Sequence, residues 1–198
     1  MKKIINEPTQ VVDEMLQGLS FMHDDLVERL DGFDVIVRKA EKTGKVGLIS
    51  GGGSGHEPSH AGFVGDGMLS AAICGAVFTS PTPDQILEAI KAADEGAGVF
   101  MVIKNYSGDI MNFEIAQELA EMEGIDVASV VVDDDIAVEN SLYTQGRRGV
   151  AGTILVHKIL GDAARSGKSL SEMKDLADKL VLEIKTIGLA LSGATVPE

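Results

Sequence analysis

Cysteine is almost missing from this chain: Cys74 is the only one in 198 residues. That excludes an internal disulfide and any zinc site built on paired cysteines. Its apolar neighbours mark it as a small core residue rather than a reactive thiol. Basic residues are also scarce, 17 against 31 acids, giving a formal charge of −14. Nucleic acid is therefore not an expected partner, because binding its phosphate backbone takes clustered Lys and Arg. No stretch reaches the roughly 18 consecutive apolar residues of a membrane span. The apolar part of the opening residues, MKKIINEP, is too short for a signal peptide. The expected location is cytoplasmic. Repeats, linkers and low-complexity tracts are absent as well.

What is present suits a folded enzyme. Hydrophobic residues make up 44% and charged residues 24%, enough to build a buried core. Short apolar, β-branched runs alternate with amphipathic segments. Residues 9–19 carry Val12, Met15, Leu16 and Leu19 at helical spacing. Residues 33–37 read as a short strand, and 45–50 (KVGLIS) as a strand ending in a glycine loop. Residues 68–78 hold at least one more strand. Thr82 suits a helix N-cap and Pro83 the first helical position, for a helix running to Ala93. Residues 98–103 (GVFMVI) form a buried strand, 110–123 an amphipathic helix and 126–132 (DVASVVV) another strand. Residues 151–164 and 170–191 are expected to be helical. Strands apolar on both faces, alternating with helices, predict an α/β fold. Its mostly parallel central sheet is flanked by helices in three α/β/α layers, and residues 1–198 form a single domain.

In such sheets ligands lie beyond the carboxyl ends of the strands. Three connections fall there: 51–60 (GGGSGHEPSH), 78–81 (FTSP) and 104–109 (KNYSGD). The first contains His56-Glu57-Pro58-Ser59-His60, which fits the zinc-protease pattern H-E-x-x-H. That pattern needs both histidines on an established helix. The four glycines just before it, Gly51, Gly52, Gly53 and Gly55, and Pro58 within it, prevent one. His23 and His157 have no ligand-like neighbours in sequence. A Walker loop fails for want of a Lys after the glycines. The dinucleotide pattern and the hydrolase elbow both fail because His56 stands where glycine belongs.

A physical reading survives. Successive glycines let backbone approach a ligand and present N–H groups unobstructed. His56 brings an imidazole that titrates near neutrality. Lys104 supplies a cation and Asp109 a carboxylate. Together they suit a small polyhydroxylated guest whose hydroxyl protons are to be moved. Plainer roles exist for each: a tight turn for the glycines, a surface histidine, a solvated lysine. Asp109 also suits an N-cap bonding backbone N–H groups near Asn112. The acidic run 133–135 reads as a solvated loop or helix start rather than a magnesium site.

The stretches GLISGGGSGHEPSHAGFVGDGMLSAAICGAVFTSPTPDQI, VIKNYSGDIMNFEIAQELA and NSLYTQGRRGVAGTILVHKILGDAA, in that order, resemble the substrate-binding subunit of the bacterial dihydroxyacetone kinases. The resemblance covers almost the whole chain. It implies dihydroxyacetone as substrate, bound by Gly52, Gly53, Ser80 and Lys104. His56 and Asp109 become the acid–base residues, with Asp109 taking the proton from the attacking hydroxyl. It implies that this chain holds no cofactor or metal. ADP and magnesium lie on a separate phosphate-donor subunit, which is recharged ultimately from phosphoenolpyruvate. A homodimer is implied too. Members continue into a second domain carrying a histidine that holds the substrate covalently. The sequence given stops short of it, as a fragment or a short form, and His157 (TILVHKIL) does not match that histidine. The alternative use within the resemblance is a dihydroxyacetone sensor that coactivates a transcription regulator.

Overall fold

The computed structural model describes residues 3–139, 144 and 146–197. Of 140–145, within the third resembling stretch, only Thr144 lies inside the described residues. The strands are β1 (Val27–Arg29), β2 (Val35–Arg38), β3 (Gly47–Ser54), β4 (Ala71–Val77), β5 (Val99–Lys104) and β6 (Val127–Val132). The helices are α1 (Val11–Met22), α2 (Pro83–Ala93), α3 (Ser107–Met122), α4 (Thr153–Arg165) and α5 (Leu170–Glu183).

The sheet order is β1-β2-β4-β3-β5-β6. β4, β3, β5 and β6 run parallel, and β1 and β2 are antiparallel additions at one edge. β5 (VFMVIK) is buried at every position, which is why its sequence shows no alternation. Ile49, Ala71, Ile73, Met101 and Ile103 face α2 and α3. Leu48, Ala72, Phe100, Val102, Val130 and Val132 face α4 and α5. α1 covers Ile36 and Cys74, and Cys74 is a core residue as expected, its thiol pushed up by burial to about 12. Each fully buried Leu, Ile or Phe contributes about 1.5–3 kcal/mol, so these two faces hold the three layers together. The expected α/β/α architecture is the one observed.

Two successive connections cross opposite faces of the sheet and place β4 and β5 on either side of β3. The 55–70 connection reaches β4 across the α4 face, where Ala61, Phe63 and Val64 pack. α2 then returns across the opposite face to β5. The carboxyl end of β3 is therefore a switch point, where an α/β sheet opens its crevice.

Four expectations need correction. The first concerns the glycines: Gly51, Gly52 and Gly53 continue β3, pairing with Ile73, Cys74 and Gly75, instead of forming a loop. A Cβ on Gly51 would lie 2.6 Å from the Ile73 carbonyl oxygen, so this ladder position has no room for a side chain. In the second, α5 stops at Glu183, short of residue 191. Its start is a capping box between Ser169 and Glu172. Its end is imposed by Thr186, which donates its N–H to Asp134 O (2.8 Å) while Ile136 N–H donates to Thr186 O (2.9 Å). Third, the acidic run is not solvated. Asp134 is 1% exposed and accepts from the N–H groups of Val150 and Gly152, both at 2.7 Å. Asp135, also buried, takes Arg148 at 2.6 Å, and Asp133 takes Arg147 at 3.1 Å. The run thus fastens residues 146–152 over the ends of β5 and β6. Finally, β1 was missing from the sequence reading, since three residues with no apolar period carry no signal.

Candidate active site

The cleft at this switch point has a volume of about 630 Å³ and is lined by Gly53, His56, Phe78, Ser80, Lys104, Tyr106 and Asp109, together with Ser107 and Gly108. All three connections expected to carry chemistry meet here. Lys104 is the last residue of β5 rather than a loop residue, and it is 8% exposed. Asp109 is 4% exposed and lies in the first turn of α3. It is not the N-cap, a position held by Tyr106. The helix starts earlier than the sequence suggested because Ser107 and Gly108 already have helical geometry. This turns the Asp109 carboxylate away from its own backbone and toward Ser80, whose hydroxyl donates to Oδ1. Asn112 ties the same turn to the 78–81 segment by donating to Pro81 O at 2.8 Å.

Gly52 does not line the cleft. It is buried, and a Cβ there would lie 3.3 Å from Lys104 Nζ and 3.7 Å from Asp109 Oδ2. Its lack of a side chain makes room for the two charged groups rather than for a ligand. Gly53 does line the cleft, but a Cβ there would meet backbone, Thr79 N at 2.5 Å and Phe78 C at 2.7 Å. Gly53→Val should therefore cost about 1–3 kcal/mol or more by overpacking against rigid backbone. It should also displace the Phe78–Ser80 wall. Thermal unfolding and ligand calorimetry check this, and native values in both would contradict it.

Electrostatics separate the roles of the charged groups. Burial raises the pKa of Asp109, against the Ser80 hydrogen bond and the Lys104 ammonium, which lower it. Burial lowers the pKa of Lys104, opposed by Asp109. The Lys104 ammonium also lies 5.6 Å from the centre of the Tyr106 ring. His56 is exposed at the mouth, its ring tilted against Phe78 with centroids 5.3 Å apart. Partial desolvation, then Lys104, lowers its pKa below 6.5, and Glu57 opposes this. A neutral imidazole at pH 7 is thus an acceptor. A carboxylate made more basic than usual, next to a lysine, can take a hydroxyl proton while the cation offsets developing charge.

The zinc pattern is disproved by geometry. His56 faces the cleft, whereas His60 is buried with its Nδ1 3.0 Å from Nε2 of His157 on α4. His157 does have a partner, then, 97 residues away in sequence. Desolvation holds both imidazoles well below their usual pKa, with His157 at about 3. Among the described residues no group of three or more His, Cys, Asp or Glu could hold a metal ion, and no helix is long and apolar enough to cross a membrane. Sequence reasoning missed Phe78 and Tyr106 as site residues. Both stood inside the segments singled out, with only their aromatic character as a signal.

A six-stranded α/β sheet thus carries a lysine, a carboxylate, a serine and a histidine in one cleft at its switch point, an arrangement of the α/β class suited to small polar molecules. The chain matches the Dak1 domain over residues 17–198 and belongs to that family. It is 71% identical, over 197 residues, to the dihydroxyacetone-binding subunit of a PTS-dependent dihydroxyacetone kinase of Lactococcus lactis, covering all of this chain and 59% of that subunit. The structure of the dihydroxyacetone kinase of C. freundii is similar, with a TM-score of 0.83 and 40% identity, over 90% of this chain and 33% of that one. A dihydroxyacetone kinase operon co-activator is similar too, with a TM-score of 0.79 and 42% identity, over 88% of this chain and 52% of that one. The chain spans about three fifths of the length of the Lactococcus subunit.

Proposed function

We propose that this chain is the dihydroxyacetone-binding part of a dihydroxyacetone kinase subunit of the phosphotransferase-system type. The observation that carries the proposal is the convergence of Asp109, Lys104, Ser80 and His56 on one cleft. Dihydroxyacetone has two primary hydroxyls. One is placed against Asp109, which removes its proton as the oxygen attacks phosphorus. The bond from phosphorus to the ADP leaving group breaks, and ADP and magnesium stay with a separate donor subunit. Lys104 and the Gly53 backbone hold the substrate's oxygens, and His56 accepts from or polarises the other hydroxyl. The cleft is larger than a three-carbon molecule requires and is open, which leaves an approach for the donor. Phosphoryl transfer then depends mainly on alignment and charge neutralisation. The relatives' greater length supports a second domain beside this single α/β unit. A homodimer and a cytoplasmic location complete the proposal.

A test uses the full-length subunit with its donor. His56 is neutral above its lowered pKa and gains a proton below it, so kcat/KM should fall as pH drops through a midpoint under 6.5. His56→Gln should lower kcat about 10²-fold and flatten that limb. An unchanged limb in the variant would assign it elsewhere. A second reading, a sensor that binds dihydroxyacetone without phosphorylating it, is favoured by the co-activator likeness. Retention of both His56 and Asp109 favours the kinase, since sensing needs no proton acceptor.

A further inference from the structure

Among the described residues, Phe78 is the one non-glycine residue with left-handed backbone, φ 52°. A bulky aromatic residue is strained there unless its surroundings hold it. Several features do so. Its N–H donates to Ser54 O at 2.8 Å. A Cβ on Gly55 would fall 2.6 Å from Phe78 Cε1 and 2.9 Å from Cζ, and one on Gly53 would fall 2.8 Å from Phe78 Cα. The two glycines form a notch shaped to this residue. Gly55 is itself left-handed, φ 111°, at the step where the chain turns toward His56. Core packing does not account for the arrangement, because Phe78 remains 41% exposed. What the ring does touch is the imidazole of His56, at 5.3 Å between centroids and 59° between planes.

We infer that Phe78 is a positioning residue for His56: the glycine notch and the left-handed backbone aim its ring so that the imidazole is held over the cleft. The ring narrows the orientations open to His56 and keeps water from one side of it. The other groups acting on this imidazole are Lys104 from β5 and Glu57 beside it in the loop, with the buried His60 behind. The notch also gives Gly53 and Gly55 a second function, beside the close backbone approach to a ligand that their sequence suggests.

The kinetic part of this inference rests on the proposed kinase reaction, so the test includes a readout that does not. Phe78→Gly relieves the backbone and removes the ring, and Phe78→Tyr restores an aromatic face. His56 is titrated by NMR in the full-length protein, and kcat and KM are measured with the phosphate donor. In Phe78→Gly the His56 midpoint should rise toward 6.5, because desolvation is the main cause lowering it. The acid limb of kcat/KM should rise with it, and kcat should fall by about 10- to 100-fold with a smaller change in KM. Phe78→Tyr should return both to native values. An unmoved His56 midpoint in Phe78→Gly overturns the inference, as does a Tyr variant that behaves like the Gly variant. Lost thermal stability with an unmoved midpoint identifies a merely structural role and overturns it too. If the native complex transfers no phosphate, the kinase reading fails while the titration still decides the role of Phe78.

Discussion

Asp109→Asn should lower phosphorylation by about 10²–10⁴-fold while dihydroxyacetone binding persists. The amide keeps an oxygen for the Ser80 hydroxyl, so the first turn of α3 stays anchored to the 78–81 segment. What is lost in the proposed reaction is the proton acceptor. Burial raises the pKa of this carboxylate from its usual 3.8, which makes it a stronger base than a solvated aspartate, and the neighbouring Lys104 ammonium opposes that rise. Single-turnover assays with the donor, set against calorimetric binding, separate the two effects. A variant that phosphorylates at the native rate would remove Asp109 from the chemistry. One that neither binds nor turns over would make its role structural.

The second large effect falls on stability, at a residue that touches no ligand. Asp134→Ala leaves the N–H groups of Val150 and Gly152 buried without their acceptor and strips Thr186 of its side-chain partner. Each orphaned buried donor costs about 1–3 kcal/mol, so denaturant unfolding should show a loss of about 3–5 kcal/mol. The damage should also reach the cleft, because the 146–149 segment lies on the end of β5. Asn105 donates to Arg147 O at 2.7 Å, and a Cβ on Gly149 would strike the backbone of Lys104 and Asn105. Weakened dihydroxyacetone binding should accompany the lost stability. A loss under about 1 kcal/mol would mean that water or other groups satisfy these donors.

The sequence was most legible where one physical cue dominated. The buried run at 98–103 could only be a central strand, and Thr82-Pro83 marked the start of α2 to the residue. His56, Lys104 and Asp109 stood out because their segments fall at strand ends and carry chemistry unusual for turns, whereas Ser80 was singled out through the family resemblance; all four line one cleft. What escaped is tertiary. Thr186 leaves the helical period because Asp134, 52 residues earlier, binds it. The acidic run reads as solvated until the backbone N–H groups it satisfies are in view. Glycines 51–53 read as a loop by propensity, yet the crowding of β4 keeps them in the ladder. The His60–His157 contact spans 97 residues and has no local signature.

If one three-carbon guest touches Asp109 and His56 together, a structure determined with dihydroxyacetone bound will show both contacts. One hydroxyl should lie within hydrogen-bond reach of the Asp109 carboxylate, the other end should point to His56, and Lys104 Nζ should sit on an oxygen between them. Dihydroxyacetone lodged elsewhere, for example in the separate charged cleft lined by Arg38, Lys45, Glu95 and Arg165, with the His56–Asp109 cleft left empty, would contradict it.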